Sequence, residues 1–329
     1  MHKSSKELKV MHFNTQSLKP KVELLSHFLA EHEIDICTLN ETWLTAKVNL
    51  NIKNFKIFRK DRDSRGGGVC ILVRNHIDSQ EINLASKEEA IAIRIKNGTK
   101  SKKDIIIATY YNKPSKTIDL ETIEEIFDQE ENVLLLGDLN GHSPLWNSST
   151  KDPTGTIIEN TLEKRKLLLL NNDQPTYAPL HKPDHRAILD LAICTDNLVS
   201  EIRDFSVTDE IFTDHLPIII RLASNYTKEK VIKPVKIKTI NWETFTREAT
   251  ERAPPEIDQL FNPAHIELQV SAVTNAIFSA IEASITHKEI LLNTDKPLLL
   301  PQHIVILIKE KRAARRKYQR TKDPNDKSE

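Results

Sequence analysis

The stretch Val133-Leu134-Leu135-Leu136-Gly137-Asp138-Leu139-Asn140 runs from four apolar residues into a polar loop. A short apolar run that is closed by glycine is typical of a buried strand. Such a strand would deliver the carboxylate of Asp138 and the carboxamide of Asn140 to a loop mouth. Because side chains two residues apart on a strand point to the same face, we expect both groups to reach one substrate atom. An ordinary Asp-x-Asn turn is the alternative interpretation.

Two further apolar runs are bordered by polar and acidic residues in a similar way. Upstream, the run 34–39 leads into Asn40 and Glu41, and downstream Thr213-Asp214-His215 precedes the apolar run 216–220. Strand ends that carry Glu, Asp-x-Asn and Asp-His together indicate metal-assisted attack of water on a phosphate ester, because a carboxylate must hold the metal that neutralises the charge. Taken singly, Glu41 is better interpreted as an acid in a surface loop.

A role in that chemistry follows for each residue. Glu41 would bind a divalent metal, and Asn14, at the end of the apolar run 9–13, would place its amide oxygen beside the same ion. Asp138 would orient or deprotonate the attacking water, and Asn140 would donate to the charge that develops on phosphorus. A turn-forming role is the alternative for Asn14.

An acid within an apolar run requires a partner. Asp190 lies in the apolar run 188–193, and a carboxylate buried without a partner is costly. We therefore expect Asp190 to pair with His215 and to keep that ring cationic; a core Asp that caps a backbone group is the alternative. Tyr111 ends the apolar run 105–111, where its hydroxyl either contacts a phosphate or its ring simply packs.

Several motifs follow one another along residues 6–223, and together they carry a resemblance. They are Phe13-Asn14, Leu39-Asn40-Glu41-Thr42-Trp43-Leu44, Arg65-Gly66-Gly67-Gly68-Val69, Tyr111 before Pro114, Gly137-Asp138-Leu139-Asn140 with Ser143-Pro144-Leu145-Trp146, Leu189-Asp190-Leu191 and Thr213-Asp214-His215. In type and order they resemble the endonuclease/exonuclease/phosphatase superfamily. Within it, the chain resembles the endonuclease domain of jockey-type non-LTR retrotransposon polyproteins.

The resemblance implies an α/β fold of DNase I type, a four-layer sandwich of two stacked β-sheets flanked by helices, followed by a helical tail. It also implies a requirement for Mg or Mn. Glu41 would bind this metal with help from Asn14, and Asp138 would align the water.

The same resemblance implies roles for the remaining site residues. Asn140 and His215 would stabilise the phosphorane-like state, and Asp190 would orient His215. Asp214 and Tyr111 would assist the metal or the leaving group.

The implied function is that of a metal-dependent phosphodiesterase that nicks double-stranded DNA and leaves a 3′-hydroxyl primer for reverse transcription. The alternatives are an abasic-site endonuclease, a phosphatase of inositol or sphingolipid substrates, and a decayed remnant without activity. Gln16 stands where many repair members have an acid, which argues against the repair function. Element RNA would be a further partner through a reverse transcriptase downstream of this chain.

Composition sets further limits. The chain has 329 residues and a net charge of zero, so its overall charge does not indicate a nucleic-acid partner. The three cysteines, Cys37, Cys70 and Cys194, each lie in an apolar run and are expected to be buried reduced thiols. The N-terminus has no apolar signal segment, and the apolar stretch 297–308 is too short to span a bilayer. We expect an intracellular protein that has no membrane partner and acts in the nucleus.

The alternation of strands and helices ends near residue 223, and the rest of the chain has a different pattern. The expected organisation is a catalytic domain over 1–223, a linker over 224–240, a helical connector with a basic end over 241–322 and a disordered terminus over 323–329. Ile240-Asn241-Trp242 and Leu300-Pro301 resemble the connector that precedes the reverse transcriptase in such polyproteins.

The basic end of the connector is a candidate for binding phosphate groups of DNA. Its candidate residues are Lys311, Arg312, Arg315, Arg316 and Lys317. Such a tail would add salt-sensitive affinity, and we expect residues 1–223 to fold and act without it. A nuclear-targeting signal and a solvated helix face are the alternative interpretations.

Overall fold

The computed structural model describes residues 7–96, 103–129, 132–179, 181–182, 184–208, 210, 213–223, 232–255, 262–293 and 300–321. The strands within these residues are β1 (Glu7–Asn14), β2 (Ile36–Asn40), β3 (Phe55–Lys60), β4 (Val69–Arg74), β5 (Ser79–Ile82), β6 (Glu89–Ile95), β7 (Ile105–Tyr111), β8 (Asn132–Asp138), β9 (Leu167–Leu169), β10 (Asp190–Thr195), β11 (Ile202–Val207), β12 (Ile218–Ala223), β13 (Ile232–Ile240) and β14 (Ile285–Asn293). The α-helices are α1 (Val22–Glu31), α2 (Leu120–Phe127), α3 (Pro153–Arg165), α4 (Asp196–Val199), α5 (Trp242–Glu251), α6 (Pro263–Ser284) and α7 (Gln302–Thr321).

Twelve of the strands form two six-stranded sheets. The first has the order β11-β12-β1-β2-β4-β3 and the second the order β5-β6-β7-β8-β10-β9. The two middle strands of each sheet, β1 with β2 and β7 with β8, run parallel, and the other pairs are antiparallel. The carboxyl ends of these parallel strands therefore lie at one edge of each sheet.

Each sheet is covered on both faces, as β8 illustrates. Leu134 and Leu136 belong to the core between the sheets, whereas Val133 and Leu135 pack in the outer core that includes α2 and α3. Because both faces are buried, residues 133–136 of the strand are all apolar rather than alternating. With α1 packed on the outer face of the first sheet, the layers are helix, sheet, sheet and helix, which confirms the expected four-layer sandwich.

Local sequence signals account for where the outer helices begin. At α2, the side chain of Asp119 accepts a hydrogen bond from Thr122 N, and at α3 that of Asp152 accepts one from Gly155 N. Pro153 occupies the first turn of α3, where its missing N–H has no helical partner to lose.

Gly137 lies within β8 and does not end it, since the strand continues to Asp138. A Cβ atom at position 137 would lie 2.1 Å from the carbonyl oxygen of Tyr110 on the neighbouring β7. The glycine is therefore required by the close approach of two strands. Asp138 is consequently the last residue of β8.

The sequence patterns located the inner strands and missed β3, β5, β9 and β11. These four strands are the outermost strands of the two sheets. An edge strand has a neighbour on one side only, and β3, β5 and β11 contain half-buried or exposed residues instead of an apolar run. The fourth, β9, is a run of three leucines directly after α3. Asn97-Gly98, between β6 and β7, is a sequence typical of a hairpin turn, and it lies outside the described residues.

The C-terminal third differs from the expected linker and helical connector. The chain divides into two compact units, one formed by 1–229 and 296–329 and the other by 230–295. The expected linker contains β13, which pairs antiparallel with β14 in the middle of the expected connector. The alternation Val235-Lys236-Ile237-Lys238 favours a strand, and its lysines and the nearby proline led to the prediction of a linker. Residues 323–329 lie outside the described residues.

Helix α7 belongs to the first unit, together with the two six-stranded sheets. Cys37, Cys70 and Cys194 are buried and unpaired with one another, as expected. Among the described helices, none is both long and apolar enough to cross a membrane.

Asn40, the last residue of β2, joins the two sheets. Its Nδ2 donates to Oγ1 of Thr109 on β7 at 2.9 Å, and its Oδ1 accepts from the backbone N of Asp138 on β8 at 2.7 Å. Asn40 is fully buried, so water does not compete for these bonds. The carboxyl ends of the middle strands in both sheets are thereby held together.

We predict that Asn40→Ala lowers the free energy of unfolding by about 2 kcal/mol, because the buried N–H of Asp138 loses its acceptor. The melting temperature should fall by roughly 4–8 °C, measured by circular dichroism. The exposed Asn197→Ala is the control and should change the free energy of unfolding by less than about 0.5 kcal/mol. Equal melting temperatures for the two variants would contradict the inter-sheet role of Asn40.

Candidate active site

The ends of the four parallel strands supply the centre of the candidate site. Asn14 ends β1, Asn40 ends β2, Tyr111 ends β7 and Asp138 ends β8. Glu41 follows directly after β2. The fold therefore brings residues far apart in sequence to one edge of the sandwich.

The amide group of Asn14 bridges two carboxylates. Its Nδ2 donates to Oε1 of Glu41 at 2.9 Å and to Oδ2 of Asp138 at 2.8 Å. Its Oδ1 accepts from the backbone N of Gln16 at 3.1 Å. The amide nitrogen, and not the expected amide oxygen, thus faces Glu41, because the oxygen is engaged by the backbone after β1.

Asp190 and His215 form a buried pair next to Asp138. Asp190 begins β10 directly opposite Asp138 in the register of the sheet. Nδ1 of His215 lies 2.7 Å from Oδ2 of Asp190, and its Nε2 lies 3.9 Å from Oδ2 of Asp138. All three side chains are almost completely buried, so their charges interact with little screening by water.

Burial and neighbouring charges set the protonation of this group. Burial alone would lower the pKa of His215, but the carboxylates of Asp190, Asp138 and Glu41 raise it to about 9. Burial would raise the pKa of Asp190, but His215 and His12 hold it well below its usual range. Burial raises the pKa of Asp138 to about 7 against the opposing effect of His215. At neutral pH the site therefore holds an imidazolium beside an ionised Asp190.

Three residues near this group were not predicted from the sequence. His12 places Nε2 at 3.2 Å from Oδ1 of Asp190, Tyr177 packs its ring edge-on to His215 with the centroids 5.0 Å apart, and the Arg62 guanidinium lies 5.7 Å from the ring centroid of Tyr111. Only His12 had a signal, since it precedes Asn14 by two residues and so shares its face of β1.

The structure places Tyr111 and Asn140 beside the carboxylates, but in different ways. Tyr111 is buried, and burial together with the carboxylates of Glu41 and Asp138 raises the pKa of its hydroxyl. Asn140 lies beyond the end of β8 in the left-handed region (φ +46°), and its Nδ2 donates to the carbonyl of Asn112 at 2.9 Å. The expectation that Asp138 and Asn140 share a strand face is therefore wrong.

Asp214 and the basic residues of α7 are also placed differently from the expectation. Oδ1 of Asp214 lies 3.2 Å from Nη2 of Arg315, and Arg312 forms an ion pair with Glu210. Both arginines thus contact acids and face away from solvent, because α7 packs within the first unit. Lys311 and Lys317 are exposed, and the side chain of Arg316 lies outside the described residues.

Left-handed backbone concentrates around the site. The residues with positive φ there are Gln16 (41°), Ser17 (82°), Glu41 (49°), Trp43 (52°) and Asn140 (46°). Each such residue costs on the order of 1 kcal/mol and persists only where its surroundings enforce it. Such outliers cluster at functional sites, which supports this edge of the sandwich as the active site.

The donor set suits a hard divalent cation. Oδ1 of Asp138 is buried and has no hydrogen-bond partner in the described part of the chain. Glu41 is half-buried. Its carboxylate accepts from Nδ2 of Asn14 and from Nε1 of Trp43, which leaves further lone pairs for an ion. Ligand atoms of Asp138, Asp190 and His215 also lie within 4.8 Å of one another, but Asp190 and His215 already bind each other. The carboxylate of Glu41 therefore suits a divalent cation better than the paired Asp190 and His215 do.

Similar sequences come from mobile elements. Residues 105–219 match the family described as endonuclease-reverse transcriptase. The chain is 23% identical over 330 residues to a probable RNA-directed DNA polymerase from transposon X-element of Drosophila melanogaster, covering 98% of this chain and 36% of that protein. It is also 23% identical over 330 residues to the RNA-directed DNA polymerase from mobile element jockey of Drosophila melanogaster, covering 96% and 35%. The chain thus spans about a third of the length of these relatives.

Similar solved structures share the sandwich. The endonuclease domain of TRAS1, a telomere-specific non-LTR retrotransposon, superposes with a TM-score of 0.58 at 20% identity, covering 67% of this chain and 100% of that one. An AP endonuclease from Leishmania major gives a TM-score of 0.53 at 14% identity, covering 67% and 88%.

The two-sheet sandwich is the DNase I-like fold of these endonucleases. In sequence, the chain is similar to the endonuclease-reverse transcriptase family over residues 105–219 and to the proteins of the mobile elements jockey and X-element. The resemblance seen in the sequence motifs is confirmed.

We predict that Asp190→Asn lowers the pKa of His215 well below 9, because burial, which favours the neutral ring, is then opposed only by Asp138 and Glu41. Titration of the imidazole resonances by NMR measures this change. A pKa that stays near 9 in the variant would contradict the pairing.

The raised pKa of His215 determines how the stability of the fold changes with pH. The stability that its pairing contributes is fully present below the unfolded value of 6.5 and is lost as pH rises through about 9. Melting temperatures of the unsubstituted chain should therefore fall across this range, and those of Asp190→Asn should fall less.

Proposed function

We propose that the chain is a metal-dependent phosphodiesterase that nicks double-stranded DNA and leaves a 3′-hydroxyl end. The observation that carries this proposal is the arrangement of Glu41, Asn14 and Asp138 beside the buried pair of Asp190 and His215. Similarity to the endonuclease domain of a non-LTR retrotransposon supports DNA as the substrate. The nick would serve as a primer for reverse transcription by a downstream part of the longer element protein, with element RNA as template.

Each residue of the site has a separate role in hydrolysis. Asp138, whose pKa of about 7 lies near the working pH, accepts the proton of the attacking water. Asn14 holds this carboxylate and that of Glu41 in place through its amide nitrogen. His215, kept cationic by Asp190, donates from Nε2 to the phosphoryl oxygen on which charge develops.

Glu41 would hold Mg or Mn, which when bound supplies positive charge to the phosphate. Asn140 has one amide N–H engaged by the carbonyl of Asn112, and its second N–H is available to a phosphoryl oxygen. Tyr111, beside the Glu41 carboxylate, keeps its hydroxyl protonated and able to donate to a phosphate. The exposed lysines Lys311 and Lys317 are candidates for contact with the DNA backbone.

We predict that the chain nicks supercoiled plasmid only with Mg or Mn and that excess EDTA abolishes nicking. Glu41→Gln and Asp138→Asn should each reduce the rate by on the order of 10² or more, because one removes a metal ligand and the other the base. Conversion of supercoiled to open-circular plasmid on a gel measures the rate. Extension of the nick by a DNA polymerase tests for the 3′-hydroxyl.

Glu163→Gln is the matched control, since Glu163 is exposed on α3, and its rate should equal that of the unsubstituted chain. Nicking that persists in both site variants, or in EDTA, would refute the proposal.

A further inference from the structure

The basic residues of α7 are arranged by their contacts with acids of the first unit. Lys309, Arg312 and Arg315 recur every third residue and so lie on adjoining turns of one side of the helix. Their partners, in the same order, are Glu31 with 3.8 Å between Nζ and Oε1, Glu210, and Asp214 with 3.2 Å between Nη2 and Oδ1.

The basic residues of α7 also compensate the negative charge of a cluster of acids. Ligand atoms of Glu31, His32 and Glu210 lie within 4.8 Å of one another, as in a metal site. However, Glu210 accepts hydrogen bonds from His32 and from Arg312, and Lys309 lies beside Glu31. The helix therefore supplies the positive charge that a cation would otherwise bring.

Arg315 reaches the turn that carries His215. Its Nη2 donates to the backbone carbonyl of Thr213 at 3.0 Å and to Asp214 at 3.2 Å. Oγ1 of Thr213 donates to the carbonyl of Asn14 at 3.0 Å and accepts from the backbone N of His215 at 3.1 Å. One guanidinium thus anchors a turn whose other side is bonded to the end of β1.

We infer that Arg315 is a positioning residue: it fixes the 213–215 turn and with it the place of His215, so that α7 forms part of the catalytic unit. The inference rests on the proposed function for its effect on catalysis. Only 11% of the Arg315 side chain is exposed, and its guanidinium is turned toward Asp214 and Thr213. An arginine in this position neutralises an acid beside the site, and a residue that bound DNA phosphate would need to face solvent.

The test compares Arg315→Gln with Arg165→Gln in the full chain. Arg165 on α3 is the matched control, because its Nη2 lies 2.6 Å from Asp128 in an ion pair between the outer helices. Both substitutions remove one positive charge and one ion pair. Arg315 alone of the two contacts the turn.

We expect Arg315→Gln to lower kcat for nicking by about tenfold, since a small displacement of a reacting group is costly. Its Kd for DNA in EDTA, and the slope of log Kd against log salt, should match those of Arg165→Gln. A slope smaller by about one with an unchanged kcat would show that Arg315 is a phosphate contact and would overturn the inference.

A measurement that does not need activity separates this inference from the proposed function. The backbone N–H groups of His215 and Leu216 bond to Oγ1 of Thr213 and to the carbonyl of Thr176. Their hydrogen exchange should be about tenfold faster in Arg315→Gln and unchanged in Arg165→Gln. Equal exchange in the two variants overturns the positioning role. Faster exchange in a chain that never nicks DNA would support the positioning role and refute only the proposed function.

Discussion

Burial of the Asp138 carboxylate is the constraint on which the rest of the site depends. A carboxylate in the interior is tolerated only when donors from the protein replace water. The hydrogen-bond partners of Asp138 come from the opposite sheet: Asn14 donates to its carboxylate, and Asn40 accepts from its backbone N–H. The site therefore forms only when the two sheets are correctly aligned. A shift of β1 by one residue would turn Asn14 away and leave the acid without its partner.

The inner strands could be predicted from the sequence because burial on both faces leaves an apolar run at every position, as in Val69 to Val73 or Ile105 to Tyr111. Three of the four edge strands could not, because pairing on one side permits polar and half-exposed residues, as in Phe55–Lys60 or Ile202–Val207. The fourth, Leu167–Leu169, is short and follows α3 directly. The two strands of the second unit, β13 and β14, were not predicted for another reason. Lysines that flank β-branched residues are typical both of linkers and of exposed strands, and the pairing partner of β13 lies some fifty residues away.

For the site, the residue types at strand ends carried the prediction. Asp190 was paired with His215 on the ground that a buried acid needs a partner, and the two lie 2.7 Å apart. Details that depend on side-chain orientation were beyond the sequence. The amide of Asn14 faces the carboxylates with its nitrogen, because the backbone of Gln16 engages its oxygen. The arginines of α7 face acids, because only the folded chain shows which side of the helix is covered.

The first unit is discontinuous, since the chain leaves it at residue 229 and returns at residue 296. This has a consequence for biosynthesis. Ribosomes add about 5–20 residues per second, so roughly 5–20 s separate translation of Asp214 from that of Arg315. Once Ala223 has been added, the nascent polypeptide contains all twelve strands of both sheets, but nothing from α7 yet anchors its 213–215 turn. Proteolytic cleavage between residues 229 and 296 would leave both sheets on one polypeptide. Arg315 and the rest of α7 would then be on a second polypeptide, which could dissociate.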